Sequence, residues 1–375
     1  MNPFIPVNEP KLDGNERKYL LQCLDTGWIS SEGPFVKQFE DQFAQKMGRR
    51  FGVAVANGSL ALDAAVAALG LNFGDEVIMP TFTIISCAAA IVRAGLIPVG
   101  IDCDSLTWNM DVQKIEEKIH PKTKAIMVVH IYGLPVEMDR ILQLAKKYSL
   151  KIIEDAAEVH GQTYRGKPCG GFGDISTFSF YPNKHVTTGE GGMILTDSEV
   201  LAEKCRSLRN LCFVPEKRFV HEELGWNMRM TNLQAALGVA QLERLDEFIV
   251  MKREMGQRYQ DAFAKLDMIE RPLSKTPDAE NVYWVYGIVL NEKVPFGAEV
   301  AMQKLAKVGI GTRPFFWNMH EQPVFKKMGF FKNESHPVAE RIARRGFYLP
   351  SGLGLTGSQQ KTVIDKVIEL FNERL

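Results

Sequence analysis

Cysteine is scarce in this sequence and too scattered to build anything. Cys23, Cys87, Cys103, Cys169, Cys205 and Cys212 contain no C-x-x-C pair, and the seven histidines show no ligand spacing. In a chain of 375 residues that pattern argues for reduced thiols and against a zinc site, so a cytoplasmic protein without metal is expected. An excess of one charge is also missing. Lys plus Arg and Asp plus Glu both number 45, which suggests no basic surface for nucleic acid. The longest apolar stretches, around residues 88–99 and 125–129, fall short of the ~20 residues needed to span a bilayer, so no membrane segment is expected. Met1 is followed by Asn2, Pro3 and Phe4 with no basic and then apolar leader, which predicts no secretion signal. Internal repeats and low-complexity segments are absent as well.

What is present reads as an ordinary globular chain, 45% hydrophobic and 24% charged. Its length suggests two or three domains at roughly 100–200 residues each. The first two thirds alternate strands with helices. Strands are expected at residues 51–56, 76–80, 97–102, 124–130, 151–155, 174–180 and 192–196. Helices are expected from Gly58 to a glycine cap at Gly70, at 85–94 and near 137–148. Such alternation implies a mainly parallel sheet covered on both faces, an α/β fold. Pro34 opens a helix whose Phe35, Phe39 and Phe43 form a core-facing stripe. Residues 231–265 read as helix bridging a large domain (1–245) to a smaller α+β one (246–375). The latter carries strands at 283–290, a helix near 298–308 and a last helix near 362–375.

Three motifs carry chemistry. Asn57-Gly58-Ser59 sits between a strand and a helix, where free N–H groups and the helix dipole suit a phosphate. An ordinary N-cap serine reads the same way. Glu154-Asp155-Ala156-Ala157-Glu158 closes a strand at the edge where α/β sheets bind ligands. Asp155 there suits a protonated ring nitrogen, or equally the cap of the next helix. Ser179-Phe180-Tyr181-Pro182-Asn183-Lys184 leads into Thr187-Thr188-Gly189-Glu190-Gly191-Gly192. A lysine after an apolar strand and before a glycine-rich turn suits Schiff-base chemistry, which needs a rigid and partly desolvated amine. Taken singly, a solvated loop lysine is the plainer reading.

Taken together and in this order, the three motifs resemble those of the DegT/DnrJ/StrS sugar aminotransferases. Pro6-Val7, Trp28-Ile29-Ser30-Ser31-Glu32-Gly33, Gly225-Trp226-Asn227-Met228-Arg229-Met230-Thr231-Asn232, Thr312-Arg313-Pro314 and Leu349-Pro350-Ser351 fit as well, so the likeness covers nearly the whole chain. The resemblance implies a fold-type I enzyme that uses pyridoxal 5′-phosphate. Its main sheet would be seven-stranded and mainly parallel, and the protein a homodimer with active sites shared across the interface.

Position by position, Lys184 resembles the lysine that binds the cofactor and Asp155 the partner of its ring nitrogen. Ser59, Ser179 and the backbone at Gly58 and Leu60 resemble phosphate ligands. Asn227 resembles a phosphate ligand donated by the neighbouring subunit, and Glu158 a side chain near the ring. Substrate candidates are Trp28, Ser30, Arg229, Arg313, Trp317 and His320, the two arginines because guanidinium forks match carboxylate and phosphate. His160 is a further candidate contact, whereas His185 reads as a structural histidine.

Two positions depart from the pattern. Ile84 stands where the family has an aromatic that stacks on the ring, with Phe82 a possible substitute. Asn318, in Phe316-Trp317-Asn318-Met319-His320, replaces a proline. The activity implied is amino transfer from L-glutamate to a keto-sugar nucleotide, narrowed toward GDP-4-keto-6-deoxymannose by residues 28–31, 187–193 and 227–229. Another keto-sugar nucleotide or a small phosphorylated ketone stays open as acceptor. A sugar 3-dehydratase carries histidine at the lysine position, which Lys184 disfavours, and a non-catalytic cofactor-binding protein is the remaining alternative.

Overall fold

The computed structural model describes residues 4–214, 217 and 219–372. Expectations for Met1, Asn2, Pro3 and the end of the last helix at 373–375 lie outside the described residues.

Seven strands build the main sheet. They are β1 (Phe51–Val55), β2 (Glu76–Pro80), β3 (Ile97–Ile101), β4 (Thr123–Val129), β5 (Lys151–Asp155), β8 (Ile175–Ser179) and β9 (Gly192–Thr196). A short ribbon, β6 (Thr163–Tyr164) and β7 (Lys167–Pro168), lies between β5 and β8 in sequence. The order across the sheet is β1-β9-β8-β5-β4-β2-β3. Only β9 runs against its neighbours, pairing antiparallel with both β1 and β8. The expected α/β fold is therefore observed. Near-continuous apolar runs such as Ala125-Ile126-Met127-Val128-Val129, all buried, are what a sheet covered on both faces requires.

One covering layer shows the expected aromatic stripe. Phe39 and Phe43, on the helix Pro34–Lys46, are fully buried. The ring of Phe43 meets Phe178 at 4.9 Å and Phe180 at 5.0 Å. The stripe is packing, as four-residue spacing on one helical face dictates.

A second sheet, order β10-β11-β13-β12, follows later in the chain: β10 (Ile269–Glu270), β11 (Tyr286–Leu290), β12 (Arg313–Pro314) and β13 (Gly346–Leu349). The stretch 231–265 is two helices rather than one, Asn232–Leu242 and Leu245–Ala262. The break falls at Glu243-Arg244, where Arg244 leaves helical geometry and its guanidinium pairs with Asp13 and Glu247. No described helix is long and apolar enough to cross a membrane.

Candidate active site

The C-terminal edges of β1, β2, β5 and β8 open on one cavity of about 950 Å³. Each edge delivers a segment singled out from the sequence. After β1, Asn57 caps the helix Gly58–Ala68, its side chain accepting from the Leu60 amide at 3.0 Å. The cap is thus Asn57 and not Ser59. Ser59 is left exposed, its Oγ 2.6 Å from Ser86 Oγ, and both serines line the cavity. The amide of Leu60 is committed to that cap, whereas the first amides of a helix have no intrahelical partner.

Gly58 and Gly192 are close-approach positions. A Cβ on Gly58 would lie 2.6 Å from Ser179 Cβ, and one on Gly192 would lie 2.4 Å from the Asn57 carbonyl oxygen. The glycine-rich turn also contains Gly189 at φ +79°, a left-handed conformation that glycine adopts freely.

β5 sends its two acids to opposite faces, as strand alternation demands. Glu154 points away from the cavity. It accepts hydrogen bonds from the Gly170, Phe172 and Gly173 amides and meets His130 Nε2 at 3.0 Å. Asp155 lines the cavity and is buried. Its Oδ2 accepts from the Cys87 thiol at 3.2 Å and its Oδ1 from the Ala157 amide at 3.1 Å. Burial raises its pKa above the ordinary aspartate value.

Lys184 follows β8. Its side chain is only 9% exposed, and its Nζ lies 3.9 Å from Glu158 Oε1. The same Nζ sits 3.6 Å from the centroid of the Trp284 ring. Burial lowers the Lys184 pKa and pushes that of Glu158 up to about 8, so both groups are driven toward their neutral forms. Their mutual attraction offsets this only in part. The Tyr132 amide fixes Glu158 from the other side at 2.8 Å.

Ile84, at the N-cap of the helix Ile85–Arg93, lines the cavity and is 42% exposed. Phe82 is fully buried against Tyr132, Phe315 and Phe316 and does not line the cavity, so it cannot replace the missing stacking aromatic. Arg313 lines the cavity and has no ion-pair partner among the described residues.

The other substrate candidates lie elsewhere. Trp28 and Ser30 are exposed outside it. Asn227 and Arg229 also lie outside, hydrogen-bonded to each other at 3.1 Å, with Arg229 reaching Asn210 Oδ1 at 2.7 Å. Trp317 is half exposed beneath the Arg344 guanidinium. His320 is buried between Thr81 Oγ1 (2.6 Å) and Glu340 Oε1 (3.2 Å), a bracing position.

His160 packs among Phe43, Phe178 and Phe180, and burial drops its pKa to about 3, so it stays neutral. His185 is buried against the Val282 carbonyl oxygen. Asn318 is buried at φ −64°, ψ 145°, the geometry a proline would take, so its replacement of proline leaves the backbone path intact. It does not line the cavity.

Sequence reasoning missed Ser86 and Trp284. A serine beside a helix start is the only local sign of the first. The second hides in the aromatic run Tyr283-Trp284-Val285-Tyr286.

Comparison with known proteins covers nearly the whole chain. The family model for the DegT/DnrJ/EryC1/StrS aminotransferase family matches residues 10–368.

The chain belongs to that family.

It is 42% identical over 374 residues to GDP-perosamine synthase of Caulobacter vibrioides, covering 100% of this chain and 99% of that one. To GDP-perosamine synthase of Escherichia coli O157:H7 it is 40% identical over 371 residues, covering 99% and 100%. Among solved structures it resembles the aminotransferase TlmJ from Streptoalloteichus hindustanus, with TM-score 0.91 and 28% identity over 98% of this chain and 99% of that one. The protein is a pyridoxal-phosphate-dependent sugar aminotransferase.

Proposed function

We propose that this cavity moves an amino group from L-glutamate to GDP-4-keto-6-deoxymannose, a step toward a surface polysaccharide. The observation that carries the reading is the buried Lys184 amine, which shares one cavity with buried Asp155 and the hydroxyls of Ser59 and Ser179. Full-length likeness to two GDP-perosamine synthases supports the acceptor.

The donor set fits pyridoxal phosphate. Ser59, Ser179 and the helix N-terminus at Gly58 would hold its phosphate. Asp155 would face its ring nitrogen, where a cation would offset the burial that raises the carboxyl pKa. Lys184 would bind its aldehyde carbon. Ile84 would cover the ring with aliphatic rather than aromatic surface, and Glu158 would lie beside it. When bound, the cofactor supplies an electron-poor ring that takes up the electron pair left as a proton departs from carbon.

The chain's residues do the rest. Burial lowers the Lys184 pKa and so enlarges its neutral fraction, the form in which its Nζ can take a proton from one carbon and return it to another. Arg313, free of an acid partner among the described residues and lining the cavity, binds the donor carboxylate or a nucleotide phosphate.

Residues 1–245 form the cofactor-holding unit and 246–375 the smaller one. The protein works as a cytoplasmic homodimer in which Asn227 and Arg229, outside the cavity of their own chain, serve the partner's site.

Ser59→Ala is expected to weaken pyridoxal phosphate binding by about 10- to 100-fold, the worth of one hydrogen bond to a charged group, as measured by equilibrium titration. Unchanged affinity removes Ser59 from the phosphate site. The acceptor is tested with ¹⁵N-labelled L-glutamate and a panel of GDP-, UDP- and dTDP-linked keto sugars plus small phosphorylated ketones. Label in the product from GDP-4-keto-6-deoxymannose is expected. Label only in another product replaces that acceptor, and 2-oxoglutarate release with no labelled sugar points to a smaller ketone.

A further inference from the structure

Lys252 has no acid partner among the described residues. It lies on the helix Leu245–Ala262, is 3% exposed, and donates its Nζ to two main-chain carbonyl oxygens, Trp284 O at 2.8 Å and Ser351 O. Burial alone pushes its pKa down to about 7. A neutral amine still has two hydrogens, enough for both carbonyls. Buried lysines are rare unless paired, so a lysine spent on two carbonyl oxygens points to what those carbonyls hold. Both Trp284 and Ser351 line the cavity.

Trp284 is fixed at its other end too. Its indole Nε1 donates to the carbonyl oxygen of Asn183, the residue before Lys184, at 2.8 Å. One ring is thus tied by its backbone to Lys252 and by its edge to the peptide beside Lys184, and its face meets Lys184 Nζ at 3.6 Å. An aromatic face attracts an ammonium and directs where it rests.

We propose that Trp284, anchored by the buried Lys252, is a positioning residue that holds the Lys184 amine in its working place. The acids facing that amine are Glu158 and Asp155, with the Cys87 thiol behind them. The nearby histidines, His160 and His185, are held neutral by burial and add no charge. The ring is therefore the uncharged contact that favours the ammonium at this spot. The inference rests on the reading of Lys184 as the working amine, but its test does not require the cofactor.

The test is the pH midpoint of Lys184 acetylation by trace acetic anhydride, read by peptide mass spectrometry on the full chain stripped of cofactor. Trp284→Phe keeps a ring and is expected to keep the midpoint. Trp284→Leu removes the ring face and is expected to lower the midpoint by about one pH unit. Lys252→Met is expected to lower it less, with thermal melting confirming that the variant is folded. A folded Trp284→Leu variant with the wild-type midpoint overturns the proposal. So does a raised midpoint, which would mean that the ring acts only by excluding water. Failure of the Lys184 reading itself shows separately, as cofactor attached to another residue.

Discussion

Lys184→Ala is expected to lower turnover by at least about 10⁴-fold, the upper range for a positioned proton-transfer group, while leaving the fold intact. The size follows from two roles converging on one atom. On the proposed reading the Nζ of Lys184 binds the cofactor and moves the proton, and among the described residues no second lysine lines the cavity. The neutral histidines His160 and His185 face packed surroundings and cannot stand in. The fold should persist because the side chain makes one long contact with Glu158 and one with the Trp284 ring, neither of which spans the core. Burial also lowers the Lys184 pKa, so its charged form weakens the folded state below that pKa. Removing the amine should therefore cost no stability at neutral pH and should make melting less dependent on pH between the lowered pKa and the ordinary lysine value. Steady-state assay and thermal melting check both halves. Turnover within about tenfold of wild type would place the chemistry on another group.

The second large effect is expected at Asp155. Asp155→Asn preserves the shape of the cavity but removes the charge that would keep a ring nitrogen protonated. kcat is expected to fall about 10²- to 10³-fold, the scale of losing one preorganised electrostatic partner. The cofactor should still attach to Lys184, because the lysine reaches the cavity from β8 and does not touch the carboxylate. Single-turnover kinetics with L-glutamate separates these outcomes. Loss of attachment together with activity would make Asp155 a structural support instead. Its contacts argue against that, since among the described residues a thiol and one amide are the hydrogen-bond donors that meet the buried carboxylate.

The strands of the main sheet were legible because their burial is local. β2, β5 and β9 fall at the expected boundaries, each a five-residue run with a mostly buried interior. The helix Glu16–Thr26 was not seen, since it buries only Glu16 and Cys23 and shows no apolar stripe. β12 and β13 are two and four residues long and exist because they pair with distant segments, which no local pattern reports.

The site divides in the same way. Asn57 and Lys184 follow strands and Asp155 ends one, and strand ends converge on one edge of a parallel sheet. Trp284 and Lys252 reach Lys184 from separations of 100 and 68 residues in sequence, by way of a sheet order that the sequence leaves open. His320 lies away from the cavity for a related reason: Thr81 and Glu340 from two other elements enclose it.

The central claim is that Lys184 is the amine that holds the cofactor. It is tested most directly by loading the protein with pyridoxal phosphate, reducing with sodium borohydride and mapping the modified peptide. The account predicts a stable cofactor adduct on Lys184 alone, lost when L-glutamate is added before reduction. An adduct on another lysine, or no adduct in protein that has bound the cofactor, would contradict it.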